Sequence, residues 1–296
     1  MTARAADVPC AACGTAFTSR VPYPSRADAP LKFTDIALCG GCGLGMAIPP
    51  RTQRELDAFY ASGDYWSDTV GASRVQTLHE RNQCRHRVRV ALAHAGDTEG
   101  LRLRVLDIGA GHGWTAHWLE RLAPAALEAF DFVEPDDRLS SEIVRRHPAA
   151  RRVEGLPRAA GPYHLIFLNH VLEHVADPVA ALGTIHGLLA RDGVAYIEMP
   201  HADYRFKSDV FPHTWFFTHD ALAALARRAG LTQVLRESFG RFPTSSADDL
   251  ARRAAFRAAA TLKLESLAGF FDDKVWRYDQ RDDGMWLRWL VRRAHA

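Results

Sequence analysis

Lysine is scarce in this chain. Of its 37 basic residues only Lys32, Lys207, Lys263 and Lys274 are lysine, and the rest are arginine. With 35 acidic residues the formal net charge is +2, so no molecule-wide field draws in nucleic acid or an anionic membrane. No stretch approaches the roughly 18 consecutive apolar residues of a membrane-crossing helix, and the N-terminus holds no apolar signal region. Both features predict a cytoplasmic protein without a membrane span. Cysteine is also rare, five in 296 residues, which excludes a disulfide framework. The remainder is ordinary for a globular chain, 47% hydrophobic and 24% charged, and long enough for one large α/β domain with an accessory piece.

Four of those five cysteines are grouped. Cys10-x-x-Cys13 and Cys39-x-x-Cys42 are separated by 25 residues, with Gly14, Gly40, Gly41 and Gly43 around them. Paired Cys-x-x-Cys segments with small neighbours suit a tetrahedral thiolate zinc site, because backbone amides can then reach the sulfurs. Four protein ligands leave no open position, so the zinc is expected to be structural and to fold a module over residues 1–50. The fifth, Cys84, reads as a small buried hydrophobe.

Residues 103–113, Leu-Arg-Val-Leu-Asp-Ile-Gly-Ala-Gly-His-Gly, carry the clearest chemical signal. A compact apolar run ending in Asp107 predicts a parallel-sheet strand, and Gly109, Gly111 and Gly113 predict a tight turn into a helix from Trp114. Trp114 stands where a dinucleotide fingerprint has its third glycine, which speaks against NAD or FAD. A second strand over 129–133 ends at Glu134, 21 residues after Gly113, where a carboxylate can accept hydrogen bonds from ribose hydroxyls. Further strands are expected near 151–153 and over 163–168, 194–199 and 231–239. Helices are expected over 114–122, 138–147, from Pro178 to Gly193, and over 220–228. This alternation predicts a doubly wound, Rossmann-like α/β sheet over 99–242. Residues 51–98 are read as a helical linker or lid. Tyr60, Tyr65 and Trp66 are its candidate substrate-facing aromatics, and Arg81, Arg85, Arg87 and Arg89 lie on a solvated face of a helix over 74–95. Residues 243–296 are read as a helical extension, with one helix over 247–268. Its tail, with Trp276, Tyr278, Trp286 and Trp289 among Asp272, Asp273, Asp279, Asp282 and Asp283, suits packing or a homodimer. No seventh strand is evident.

Asp107-x-Gly-x-Gly-x-Gly113, Val-Glu134-Pro and Asn169-His-Val-Leu-Glu-His-Val-Ala-Asp-Pro178 resemble class I S-adenosylmethionine-dependent methyltransferases. The resemblance implies that Asp107, Gly109, Ala110, Gly111 and Gly113 lie against the methionine part of S-adenosylmethionine. It implies that Glu134 holds the ribose and that Asn169 lies at the same site. His170, His174, His201, His213 and His219 all follow strands four and five, where loops face the ligand crevice. His213-x-x-x-Phe-Thr218 before a helix is similar to zinc-ribbon sugar C-methyltransferases, in which a histidine at this place is catalytic. Those enzymes carry Tyr and Glu just ahead of it, where Phe211 and Pro212 stand here. His213, with His170 second, is therefore the expected base. The expected reaction is methyl transfer to an O, N or C nucleophile of a small molecule in sugar or secondary-metabolite tailoring. An RNA methyltransferase gripping nucleic acid through the ribbon, and a non-catalytic partner subunit, are the alternatives.

Overall fold

In this computed structural model the described residues are 9–26, 28–62, 74–96, 102–240, 246–275 and 284–294. Tyr65, Trp66, Trp276, Tyr278, Asp279, Asp282 and Asp283 lie outside them, as do the side chains of Asp272 and Asp273.

The central apolar runs become strands, largely buried on both faces except at the edge strand Ala150–Arg152. These are β4 (Leu103–Ile108), β5 (Leu127–Val133), β6 (Ala150–Arg152), β7 (Tyr163–Asn169) and β8 (Leu189–Pro200). With β10 (Leu231–Phe239) and β11 (Trp286–Arg293) they make a seven-stranded sheet of order β10-β11-β8-β7-β4-β5-β6. Period-two alternation along each strand divides the core. Leu106, Ile108, Ile166, Leu168, Ala195 and Ile197 face α5 (Pro178–Leu188) and α6 (His219–Arg228). Val105, Phe130, Phe132, Leu165, Phe167 and Tyr196 face α2 (Arg74–His94), α3 (Trp114–Leu122) and α4 (Asp137–Arg146). β4 pairs in parallel with both β5 and β7, so strand order reverses at β4 and a crevice opens beyond its carboxyl end.

The cysteine segment forms its own small sheet, β1 (Phe17–Pro22), β2 (Asp35–Cys39) and β3 (Gly45–Ile48), all antiparallel. A two-residue strand from the main chain segment, β9 (Trp215–Phe216), extends its edge by pairing with β3. Next comes α1 (Gln53–Ala61), started by a Thr52–Glu55 capping box.

Four expectations are corrected. The helix expected to run from Pro178 to Gly193 ends at Leu188, and β8 begins at Leu189. Gly193 is not a helix cap; a Cβ there would stand 2.6 Å from the Tyr163 carbonyl oxygen, so it permits close strand approach at the β7–β8 register shift. The single helix over 247–268 is two, α7 (Ala247–Thr261) and α8 (Glu265–Val275), broken where Lys263 takes φ +64°. Residues 286–293 are the seventh strand, antiparallel to β10 and β8, so the extension is not wholly helical. Arg288 disguised it, because a buried arginine interrupts the apolar run. It is only 2% exposed and stands in register between Glu198 and Glu237. Finally, of the four arginines given to a solvated face of α2, only Arg89 is exposed. Arg81 pairs with Glu265, Arg85 lies over Trp118, and Arg87 points at the crevice.

Candidate active site

The crevice is a cavity of about 410 Å³ bounded by the ends of β4, β5 and β7 and by α2. The glycine turn forms its floor. Gly109, Gly111 and Gly113 take φ of +71°, +52° and +71°. A Cβ would lie 2.6 Å from Val171 Cγ2 at Gly109 and 2.8 Å from Ile143 Cγ1 at Gly113, so side chains are excluded by both conformation and space. Gly109 and Ala110 donate their N–H groups to the Val133 carbonyl, folding the turn over the end of β5. Glu134 meets it there. Its Oε2 accepts from the Gly111 N–H at 2.8 Å and its Oε1 from the Asp136 N–H at 3.0 Å. The carboxylate is 2% exposed, so burial raises its pKa, with the two backbone donors opposing.

Asp107 lies below the turn, 1% exposed, and neither carboxylate oxygen has a hydrogen-bond partner among the described residues. Burial pushes its carboxyl up to about 7. Buried carboxylates without partners are costly, and a cationic ligand in the cavity would relieve this one. Asn169 Oδ1 is likewise buried without a partner and lines the same space. A buried acid, a floor without side chains and the Glu134 carboxylate beside the turn together fit S-adenosylmethionine, which carries a sulfonium, an ammonium and a ribose.

The other wall is built on the turn after β7. His170 takes φ +57°, unusual for a residue with a side chain, and its N–H donates to the Glu198 carbonyl. Its Nδ1 lies 3.2 Å from Glu173 Oε1. Glu173 is 1% exposed; burial raises its pKa, but the hydrogen bond from His170 and the His174 and His213 imidazoles outweigh burial and hold it below the ordinary value. Burial drives His174 down to about 3, leaving it neutral. His174 packs edge-on against Tyr60 of α1 at 5.7 Å and against His213 at 4.9 Å between ring centroids. His213 Nδ1 sits 3.2 Å from Asp203 Oδ2, which also receives Lys207 Nζ at 2.8 Å. Burial opposes ionisation of Asp203, yet His213 and Lys207 hold its carboxyl below the usual range.

Three of the five histidines therefore converge: His170 and His174 at the cavity wall and His213 stacked behind His174. The other two do not. His201 bonds the Gly284 carbonyl and packs on His219 at 5.3 Å. Tyr60 is in the wall as expected, and Cys84 is buried there, its thiol raised to about 12 by burial. Arg87 was missed as a site residue. Its Nε and Nη2 donate to Glu198 Oε1 at 2.9 and 2.5 Å, holding the guanidinium at the cavity. The signal was its place on α2 amid the buried stripe Cys84, Val88 and Ala91, which turns it inward.

Away from the crevice, Cys10, Cys13, Cys39 and Cys42 present sulfurs within 4.8 Å of one another, with Cys10–Cys42 at 3.7 Å and Cys13–Cys39 at 3.4 Å. Tetrahedral zinc thiolates stand about 3.8 Å apart for Zn–S bonds of about 2.3 Å, so the cluster fits that ion. Glu173, His174 and His213 form a second set of suitable type and spacing. There the carboxylate and His213 are already engaged with His170 and Asp203.

Residues 78–236 match the methyltransferase domain family. The chain belongs to that family. Ubiquinone biosynthesis O-methyltransferase of Ruegeria sp. (strain TM1040) is 29% identical over 216 residues, covering 62% of this chain and 85% of its own. The protein of the same name from Dinoroseobacter shibae (strain DSM 16493 / NCIMB 14021 / DFL 12) is 31% identical over 210 residues, covering 61% and 82%. Among solved structures, Burkholderia thailandensis 1,6-didemethyltoxoflavin-N1-methyltransferase, with its substrate and S-adenosylhomocysteine bound, superposes with TM-score 0.50. It is 18% identical and covers 92% of this chain and 100% of its own, which shows the shared fold. This chain is thus a class I S-adenosylmethionine-dependent methyltransferase. Among the described residues no helix is long and apolar enough to cross a membrane.

Proposed function

We propose that this methyltransferase methylates a hydroxyl oxygen of a small molecule bound between the glycine turn and the His170–His174 wall. The observation that carries this reading is the single cavity that runs from Asp107, Gly111 and Glu134 to His170 and His174, placing cofactor-binding and proton-accepting groups on opposite walls. S-adenosylmethionine supplies an electrophilic methyl group there. Glu134 accepts from the ribose hydroxyls, the turn 109–113 lies against the methionine part, and Asp107 offsets its positive charge. His213, oriented by Asp203, takes the acceptor proton, with His170 as the second candidate. Alignment of the reactants in a closed pocket supplies the rest of the acceleration. The oxygen acceptor is supported by the names of the relatives at about 30% identity, which are O-methyltransferases. The four cysteines hold a structural zinc in a module over residues 1–50, followed by a helical segment over 51–98, the methyltransferase domain over 99–242 and an extension over 243–296.

The test is incubation with S-adenosylmethionine and a panel of hydroxylated aromatics and sugars, with products read by mass spectrometry. Methyl ethers are expected, and His213→Ala should cut turnover by roughly 10²–10⁴-fold without loss of cofactor affinity. Products methylated only on nitrogen or carbon would overturn the acceptor assignment. An unchanged rate in His213→Ala would transfer the role of base to His170.

A further inference from the structure

The segment that carries His213 is gripped from two sides. On one side Thr214 donates its N–H to the Glu173 carbonyl at 2.7 Å and its hydroxyl to the same oxygen at 2.9 Å, tying the loop to the turn after β7. The Thr214 hydroxyl and Trp215 Nε1 also reach the Val175 carbonyl, each at 2.9 Å, and the Ala202 N–H donates to the Phe217 carbonyl; on the other side stands the cysteine module. The Val210 N–H donates to the Pro24 carbonyl, the Ala47 N–H donates to the Thr214 carbonyl, and Met46 and Gly45 pair with Trp215 and Phe216. Thr218 closes the segment with a 2.7 Å hydrogen bond to the Cys42 carbonyl, beside a zinc-ligating position. At the centre the Tyr23 hydroxyl reaches across 190 residues of sequence to the His213 carbonyl at 2.9 Å and lies 3.2 Å from that of Val210. Its ring is fixed by Phe33 at 4.8 Å and Phe216 at 6.0 Å, and the residue is 6% exposed.

We propose that Tyr23 is a positioning residue for His213, and that the N-terminal module serves the reaction by fixing the backbone from which this imidazole meets Asp203 and His174. The inference rests on the reading of His213 as the base. A hydroxyl on a rigid aromatic ring sets the His213 carbonyl to within a few tenths of an ångström, and the imidazole follows the backbone through two torsions. The contact to Asp203 is already long at 3.2 Å, so a small displacement of the loop separates the pair. Burial, followed by the Asp203 and Asp209 carboxylates, raises the Tyr23 pKa well above its ordinary value, so the hydroxyl stays a donor throughout the working pH range. None of this requires that the module touch a substrate, and its own metal set has no open position.

The experiment reads His213 directly, in the full chain saturated with S-adenosylhomocysteine. Histidine ring carbons and nitrogens are labelled and their NMR shifts read at one fixed pH, with the His213 resonances assigned by their loss in His213→Ala. The groups around that ring are Asp203, Lys207, His174 and Glu173, all unchanged in Tyr23→Phe. Replacing the carboxylate in Asp203→Asn should move the His213 ring resonances, and Tyr23→Phe should move them in the same direction by a smaller amount. S-adenosylhomocysteine affinity should stay within about twofold, since neither residue lines the cofactor cavity. Arg26→Gln, which removes the exposed 2.7 Å pair with Asp209 at the rim of the same loop, should give a smaller change of the same sign in a site that cannot collapse the core. Unmoved His213 ring resonances in Tyr23→Phe, whether or not Asp203→Asn moves them, overturn the proposal. Turnover of His213→Ala tests the base assignment separately, so failure of one reading is distinguishable from failure of the other.

Discussion

Asp107 is the residue at which stability and function are opposed. Its carboxyl is held up to about 7 by burial, well above the 3.8 of an unhindered aspartate. A carboxyl whose folded pKa is raised binds its proton more tightly folded than unfolded. Its contribution to stability is thus full at low pH and is lost as pH rises between those two values. Replacing it with Asn should raise the melting temperature of the cofactor-free protein more at pH 8 than at pH 5, read by calorimetric scanning. The same change should weaken cofactor binding and flatten its pH dependence, because in the native protein the affinity for a cationic ligand should strengthen as pH climbs through 7. The glycine turn is equally constrained. Gly109→Ala places a methyl carbon 2.6 Å from Val171 at φ +71°, and should cost about 1–3 kcal/mol of stability in denaturant titration along with most of the cofactor affinity. These residues were legible in the chain because the turn, Asp107 and Glu134 stand at strand ends and at spacings that sequence alone displays. Tyr23 was not legible as a partner of His213, since a hydrogen bond across 190 residues leaves no periodic trace, and Asp203 was not because the pairing depends on how the loop between them folds.

Among the elements, β11 shows most clearly where sequence reading fails. Tyr196, Glu198, Arg288 and Glu237 form a ladder across three neighbouring strands. The Arg288 Nε donates to the Tyr196 hydroxyl at 2.9 Å, its Nη1 pairs with Glu237, and the Tyr196 hydroxyl donates to Glu198 at 2.7 Å. Burial opposes ionisation of Glu198, but Arg87 and Arg288 hold its carboxyl down at about 2. A charged residue inside a strand is paired only by tertiary structure, so neither alternation nor apolar run betrays it, whereas β4, β5, β7 and β8 are legible from their apolar composition. Arg288→Ala should destabilise the fold by about 3–5 kcal/mol in urea titration, because Glu237 loses its counter-charge, buried Glu198 keeps only Arg87, and the cavity left behind adds to the cost. Arg87 extends the ladder to the cavity, so the seventh strand and the cofactor wall are one polar unit.

At the scale of the whole molecule, two sheets share one loop. β9 pairs with the four-stranded cysteine sheet, and the next residue, Phe217, makes an isolated parallel bridge to His201 just past β8 of the seven-stranded sheet. A cysteine module, though not its strands β1 to β3, and the larger sheet could be foreseen from the chain, one from cysteine spacing and the other from strand–helix alternation. Their junction could not, because β9 is two residues long. Elemental analysis should return about one zinc per chain, and chelation should loosen the His213 segment as well as the module itself, read as faster amide exchange over 210–218. A count of two would place a second ion on Glu173, His174 and His213.

Calorimetry of S-adenosylhomocysteine binding to the native protein and to Glu134→Ala tests the central claim most directly. Removing the buried carboxylate proposed to hold the ribose hydroxyls is predicted to weaken affinity by roughly 10–100-fold, with the fold retained. Equal affinity in the two proteins would contradict the account.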